Sequence, residues 1–413
     1  MTTAQSQSVS VTSVDEPAFK QGAVRTFMAL LLAHAMVDCL GGMWPVFKKM
    51  AGLDLRWAGL ISTVAATTTM AMQPMFGIWA DSGGKRRHYI LLGLLLTSTG
   101  MLLGPIGMHQ ESFGVVGAYV IMFALLFTTR LGQAMFHPPA AGLAGDAIAH
   151  KRSLLVSLFI GVGMMGFASS QTIFSYVYTN YAGNTHWILA IAFPLMIWVW
   201  YWCKPLEQKA VKQSNGLHFR EALTVLRQHL LPLYGLLVFA AGQNMAMYFL
   251  LPELLESKGY PQWFVNGGGF AFAVGGSVLL MVPAGYLADR LGRKLLLVVT
   301  LLIAIVLYYT MILIPTLPLP SFAILLLFTG GLMGTVNPMG VALGQEILPG
   351  KASLASGILM GLAWSLGSQT LWISGAIADY TSPATALLIL GVLNFGGLAL
   401  CMFIRKPVSS SNA

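Results

Sequence analysis

Twelve stretches of this chain are long and apolar enough to cross a bilayer, near 25–47, 57–80, 89–108, 113–142, 153–178, 186–203, 231–255, 263–287, 295–315, 320–346, 353–378 and 384–404. A spanning helix needs about 20 apolar residues. Hydrocarbon offers no partner to a backbone N–H or C=O, so runs of this length fold as helices, and the chain is expected to be an all-α integral membrane protein. Composition agrees: 56% of residues are hydrophobic and 9% are charged, with a mean hydropathy of +0.73. The formal charge of +9 comes from Lys and Arg in short bursts between apolar runs, the pattern of membrane anchors, and nucleic acid is not an expected partner. Cys39, Cys203 and Cys401 lie singly in apolar segments, with no spacing that suggests a disulfide framework or a zinc site. Residues 1–22 are polar and lack the apolar core of a signal peptide, so they read as a disordered tail with no cleaved leader.

The twelve stretches fall into two sets of six. Residues 204–230 separate them and carry Lys204, Lys209, Lys212, Arg220 and Arg227, so this segment reads as a cytoplasmic linker between bundles at 23–203 and 231–405, with a short tail at 406–413. Positive charge concentrates in cytoplasmic loops. Lys85, Arg86, Arg87, Lys151, Arg152, the linker cluster, Arg290, Arg293, Lys294, Lys351, Arg405 and Lys406 all fall on the side of the N-terminus; the other side has Lys48, Lys49, Arg56 and Lys258. Both termini are therefore expected in the cytoplasm, with the chain crossing the inner (plasma) membrane many times. The halves also repeat each other in order. Gly77-Ile-Trp-Ala-Asp81 returns as Gly285-Tyr-Leu-Ala-Asp289, His137-Pro138 with Asp146 as Asn337-Pro338 with Glu346, and Ser170-Gln171-Thr172 as Ser368-Gln369-Thr370. Such order at a nearly constant offset points to parallel repeats about an axis normal to the membrane.

The run Gly285-Tyr-Leu-Ala-Asp289-Arg290-Leu-Gly292-Arg293-Lys294 resembles the signature loop of the major facilitator superfamily. Its first-half copy has Gly77, Asp81, Gly84, Lys85 and Arg86, with Ser82 in place of a basic residue and an extra Gly83. Within that superfamily, His34-x-x-x-Asp38, Gln73-Pro74 and Gly132-Gln-Ala-Met-Phe-His137-Pro138 are similar to the fosmidomycin-resistance group of efflux transporters. The resemblance implies the major facilitator fold, twelve transmembrane helices in two pseudo-symmetric six-helix bundles. It also implies a monomer in lipid that moves a small-molecule substrate by alternating access, driven by a proton gradient, with no other cofactor and no enzymatic step. The subgroup implies proton-coupled export of a drug or small organic anion. Import of an anionic metabolite, siderophore or metal chelate stays open, as does a receptor or enzyme on a transporter scaffold. The chain has no G-x-x-x-x-G-K-[ST] or H-E-x-x-H motif to support nucleotide or zinc chemistry.

The loop motif has its own physical logic. Asp81 and Asp289 end their helices, where the helix dipole disfavours an anion, so each needs a cationic or helix-terminal partner. Lys85, Arg86, Arg290 and Arg293 are the nearby cations, and Asp146 and Glu346 at the ends of the fourth and tenth helices join the expected gating network.

Charge at membrane depth usually marks a pathway. His34 and Asp38 share one face of the first helix, and Arg130 and His137 one face of the fourth. Helix rise puts Asp38 level with Arg130 and His34 level with His137, so a charge pair in one layer and two imidazoles in the next are expected. In the resembled fold both helices line the central cavity. Arg130 would alternatively hold an anionic substrate, and the histidines suit a proton relay because imidazole titrates near neutral pH. A divalent metal on His34, Asp38 and His137 is not expected, since no cysteine or second carboxylate accompanies them. Gln73, Gln171, Gln243, Asn244, Asn266, Asn337 and Gln369 are the neutral polar candidates for substrate contact. Gly161, Gly163 and Gly166 are expected to allow close helix approach. Trp44, Trp79, Trp364 and Trp372 wall the cavity or sit at the membrane interface.

Overall fold

The computed structural model describes residues 16–82, 86–146, 152–203, 224, 226–348 and 357–404, and every regular element among them is helical. In the first half α1 (Glu16–Gly41) breaks and resumes as α2 (Trp44–Met50), followed by α3 (Leu55–Ser82). Next, α4 (Arg86–Ser98) runs through a 3-10 turn into α5 (Leu103–Met108), and α6 (Gln110–Asp146), α7 (Arg152–Asn180) and α8 (Leu189–Trp202) complete the half. The second half has α9 (Leu231–Ser257), α10 (Gly269–Leu291) after a π-turn at Phe264–Gly268, α11 (Arg293–Leu313) and α12 (Leu319–Ile347). A π-turn at Gly357–Leu362 leads into α13 (Ala363–Gly367) and α14 (Gln369–Tyr380), and α15 (Pro383–Leu390) with α16 (Val392–Phe403) ends the described chain.

These elements fill the twelve expected positions. Among the described residues, ten helical stretches are long and apolar enough to cross a membrane. The other two positions are α3 and the broken α13–α14 unit, which face each other across the two halves. Their polar side chains satisfy one another: Thr63 Oγ1 donates to the Ser368 carbonyl at 3.1 Å, Thr67 Oγ1 meets Ser368 Oγ at 2.7 Å, and Gln369 Nε2 donates to Thr67 Oγ1 at 2.8 Å. In hydrocarbon such groups must be paired within protein, so this polarity marks a helix seam rather than a lipid face.

The seam is tight because glycine permits it. A Cβ on Gly375 would overlap the Leu55 carbonyl. A second seam joins α7 to the π-turn before α10. There Gly267 adopts φ 138°, a conformation suited to glycine, and packs on the backbone of Gln171 and Thr172, while Ser175 Oγ donates to the Asn266 carbonyl at 2.6 Å. The two Ser-Gln-Thr repeats thus lie one on each seam. Hydrogen bonds and ion pairs between described residues of the two halves run from the level of Thr67 to the face opposite the termini, so the molecule is closed there.

Several boundaries differ from the sequence reading. The first span breaks at Gly42, where a side chain would collide with Ser170 of α7. The fourth contains Gly114 at φ 66°, which interrupts helical geometry after its first turn. The tails at 1–15 and 405–413, most of the linker and Lys85 lie outside the described residues.

Candidate functional site

α1 and α6 bring three titratable side chains into contact midway through the first half. His34 and Asp38 are one helical turn apart on α1, with Nε2 and Oδ2 at 3.2 Å. His137 of α6 places its Nε2 3.0 Å from the other carboxylate oxygen, Oδ1. The carboxylate therefore lies between the two imidazoles, and their ring centroids are 5.1 Å apart, edge to face. Side-chain exposure rises along the chain, from 6% at His34 to 14% at Asp38 and 30% at His137, so the cluster is most accessible at His137.

The second nitrogen of each ring fixes its tautomer. His34 Nδ1 lies 2.8 Å from the Phe159 carbonyl and His137 Nδ1 2.6 Å from the Gln133 carbonyl. A carbonyl only accepts, so both Nδ1 atoms carry hydrogen and only the Nε2 atoms exchange protons with Asp38. Two mobile protons, one for each Nε2–carboxylate contact, complete both hydrogen bonds. One fewer leaves a lone pair facing a lone pair, and one more leaves two donors facing each other. The Asp38–His137 bond joins α1 to α6, so proton count is tied to a contact between helices.

α7 builds the back wall. His34 stacks on Phe159 with centroids 3.9 Å apart, and a Cβ on Gly163 would overlap the imidazole. Gly166 lets α7 approach the backbone of Ala35, while Gly161 has open space around it, so two of the three expected glycines serve close approach here.

The expected Asp38–Arg130 layer does not form. Between these two described residues there is no ion pair; Arg130 Nη1 donates instead to Gln133 Oε1 at 3.0 Å, and its Nε is buried without a hydrogen bond. Helix rise set Arg130 level with Asp38, but the structure puts His137 opposite Asp38 and Gln133 opposite Gly41, and His34 and His137 take both carboxylate oxygens. Gln133, whose side chain lies against Gly41, links Arg130 to the α1 side of the site. Sequence reasoning passed over it, although it lies three residues from Arg130 and four from His137, on the face they share. Arg130 and up to two imidazolium ions stand against one carboxylate, and a bound anion would balance the excess. The three donor atoms of His34, Asp38 and His137 lie within 4.8 Å of one another, but here they are used on each other.

The neutral candidates divide. Gln73 and Asn337 are partly exposed, and the Asn337 Oδ1 has no hydrogen bond. Gln369 binds Thr67 across the seam, Gln171 is fully buried beside the other seam, and Gln243 and Asn244 are buried within α9 packing, Asn244 Nδ2 donating to the Met333 carbonyl at 3.4 Å. Asn266 sits in the π-turn. Trp44 is buried against Phe47, Trp79 and Trp372 are exposed and Trp364 is half-buried.

Residues 26–370 match the family model of the Major Facilitator Superfamily. The chain belongs to that superfamily. It is 24% identical to the fosmidomycin resistance protein of Escherichia coli (strain K12) over 86% of each chain. It is 25% identical to the uncharacterized MFS-type transporter YfnC of Bacillus subtilis (strain 168), over 88% of this chain and 90% of that one. In fold it is similar to the nucleoside transporter NupG, with TM-score 0.67 and 15% identity over 94% of this chain and 100% of that one. The protein is thus a membrane transporter for a small solute, not an enzyme.

The second-half copy of the superfamily's loop motif forms a network. Arg293 binds Asp289 through Nη2 at 2.8 Å and Glu346 through Nε at 2.5 Å, tying α10, α11 and α12 together, while Arg290 lies over the Tyr286 ring at 4.3 Å. These contacts stay within one half. In the first half Arg86 lies against Gly142, one turn before Asp146. The side chains of Asp81 and Asp146, like Lys85, fall outside what is described.

Proposed function

We propose that this protein is a proton-coupled secondary transporter of a small organic anion in the inner membrane, with both termini in the cytoplasm and one chain as the working unit. The observation that carries this reading is the His34–Asp38–His137 chain, hydrogen-bonded through protons that can leave, with the half-buried Arg130 two turns from His137 on α6. An anion seated at Arg130 and His137 competes with Asp38 for the His137 Nε2–H. Solute occupancy and proton count are then linked, and linkage is reciprocal. Gln73 and Asn337 are assigned to solute contact. Asp81, Lys85, Arg86, Asp146, Asp289, Arg290, Arg293 and Glu346 are assigned to gating at the terminal face. Gln171, Gln243, Asn244 and Gln369 act through helix packing.

Export, as of an antibiotic, is the direction supported by similarity to the fosmidomycin resistance protein. The site's electrostatics support a second reading, import with protons, because an anion beside Arg130 stabilises charged imidazoles and so binds together with protons. The sign of proton movement separates the two. Binding of phosphonates and carboxylates to purified protein is followed calorimetrically in buffers of different ionisation enthalpy. Proton release supports exchange and export, uptake supports co-transport, and binding with neither would overturn proton coupling.

A further inference from the structure

Four basic residues lie on the face that is otherwise poor in them: Lys48, Lys49, Arg56 and Lys258. The structure gives each a use. Lys258 Nζ caps chain ends within its own half, donating to the carbonyls of Ile312 at 3.0 Å and Ile314 at 2.6 Å. The other three reach across the halves. Lys48 of α2 binds Glu253 of α9 at 2.5 Å, Lys49 binds Glu256 at 2.7 Å, and Arg56 Nη1 donates to the Tyr380 hydroxyl at 3.2 Å. Asp379 adds a fourth link by accepting from the first-turn N–H groups of α3, Leu55 at 3.1 Å and Arg56 at 2.6 Å.

These links are not equal. Lys49–Glu256 is solvated, with Glu256 52% exposed, and a surface pair contributes little. Lys48 is completely buried; its ammonium lies 4.3 Å from the centroid of Phe249, and Glu253 is 13% exposed with Oε2 buried and lacking a hydrogen bond. A lysine at zero exposure is tolerated only with its partner in place. Both residues sit on the two elements, α2 and α9, that must part if this face opens.

We infer that Lys48 and Glu253 form a reversible latch that holds this face of the transporter shut. The charges serve reversibility. When the face opens, water enters and hydrates both ions, so the pair separates at small net cost. Apolar side chains of similar size in the same place would pack in the closed state but expose hydrocarbon on opening. The latch is weak against water and strong in its absence, which suits a contact made and broken in every cycle.

The test uses the full chain in nanodiscs, with Cys39, Cys203 and Cys401 replaced and spin labels at Glu111→Cys and Thr316→Cys, one in each half on this face. Distance distributions report the ratio of open to closed molecules. Lys48→Met or Glu253→Gln alone should raise that ratio on the order of 100-fold, as expected for breaking one side of a buried pair. Lys49→Met should change it less than about fivefold. The double variant Lys48→Met/Glu253→Met should return to the closed distance and lose transport turnover, and the reversed pair Lys48→Glu/Glu253→Lys should restore both. The inference is overturned if the single variants keep the wild-type distribution, or if the double apolar variant opens or transports normally. The double and reversed variants also control for folding, since each refills the site.

Discussion

At residue scale, the site depends on side chains that leave each other little freedom. Gly163→Ala puts a methyl group where the His34 ring lies, and overpacking of this kind costs about 1–3 kcal/mol. It should lower thermal stability and shift the pH dependence of solute binding, whereas Gly161→Ala, in open space, should do neither; thermal unfolding and binding titrations check both. His137→Gln removes the most exposed proton carrier of the cluster. Wild-type affinity for a small anion should change between pH 8 and 5 by up to about tenfold per pH unit for each linked proton, rising as pH falls for co-transport and falling for exchange, and His137→Gln should flatten that slope. The ionisable set was legible in the sequence because charge at depth is rare. Its pairing was not, because rise along a helix says nothing of which neighbour lies across it, and a neutral Gln133 drew no notice beside Arg130.

At the scale of elements, the twelve spans could be read from hydropathy, but their breaks could not. Gly42, Gly114 and the π-turns before α10 and α13 arise from tertiary contact or local glycine geometry that an apolar run hides. The Ser-Gln-Thr repeat was visible as a repeat, yet only packing shows that both copies lie at seams between the halves. That placement gives two predictions. Thr67→Val loses hydrogen bonds to Ser368 and Gln369; at about 0.6 kcal/mol for each bond between membrane helices, the ratio of closed to open molecules should fall several-fold in the same spin-label measurement. Gly375→Leu cannot be accommodated against the Leu55 carbonyl. It should hold the face opposite the termini open and leave solute accessible from that side only, as read by one-sided accessibility of an engineered cysteine.

At the scale of the whole molecule, the charge distribution divides labour between the halves. Titratable chemistry sits on α1 and α6, the second half holds Asn337 where the first holds His137, and ion pairs at the face opposite the termini join the two. Duplication kept the scaffold, and among the described residues the first half alone carries a carboxylate bridged by two imidazoles at membrane depth. Superfamily membership was legible from the loop motif, since its glycines and charges recur in both halves. The latch was visible only as four basic residues on the wrong side. The central claim, that protons bound at Asp38 and its histidines drive solute movement, is tested most directly by solute flux in proteoliposomes under an imposed pH gradient, for wild type and Asp38→Asn. The account predicts that the gradient accelerates net flux through the wild type and that Asp38→Asn retains solute exchange but no longer responds to the gradient. Equal wild-type flux with and without the gradient, or an undiminished response in Asp38→Asn, would contradict it.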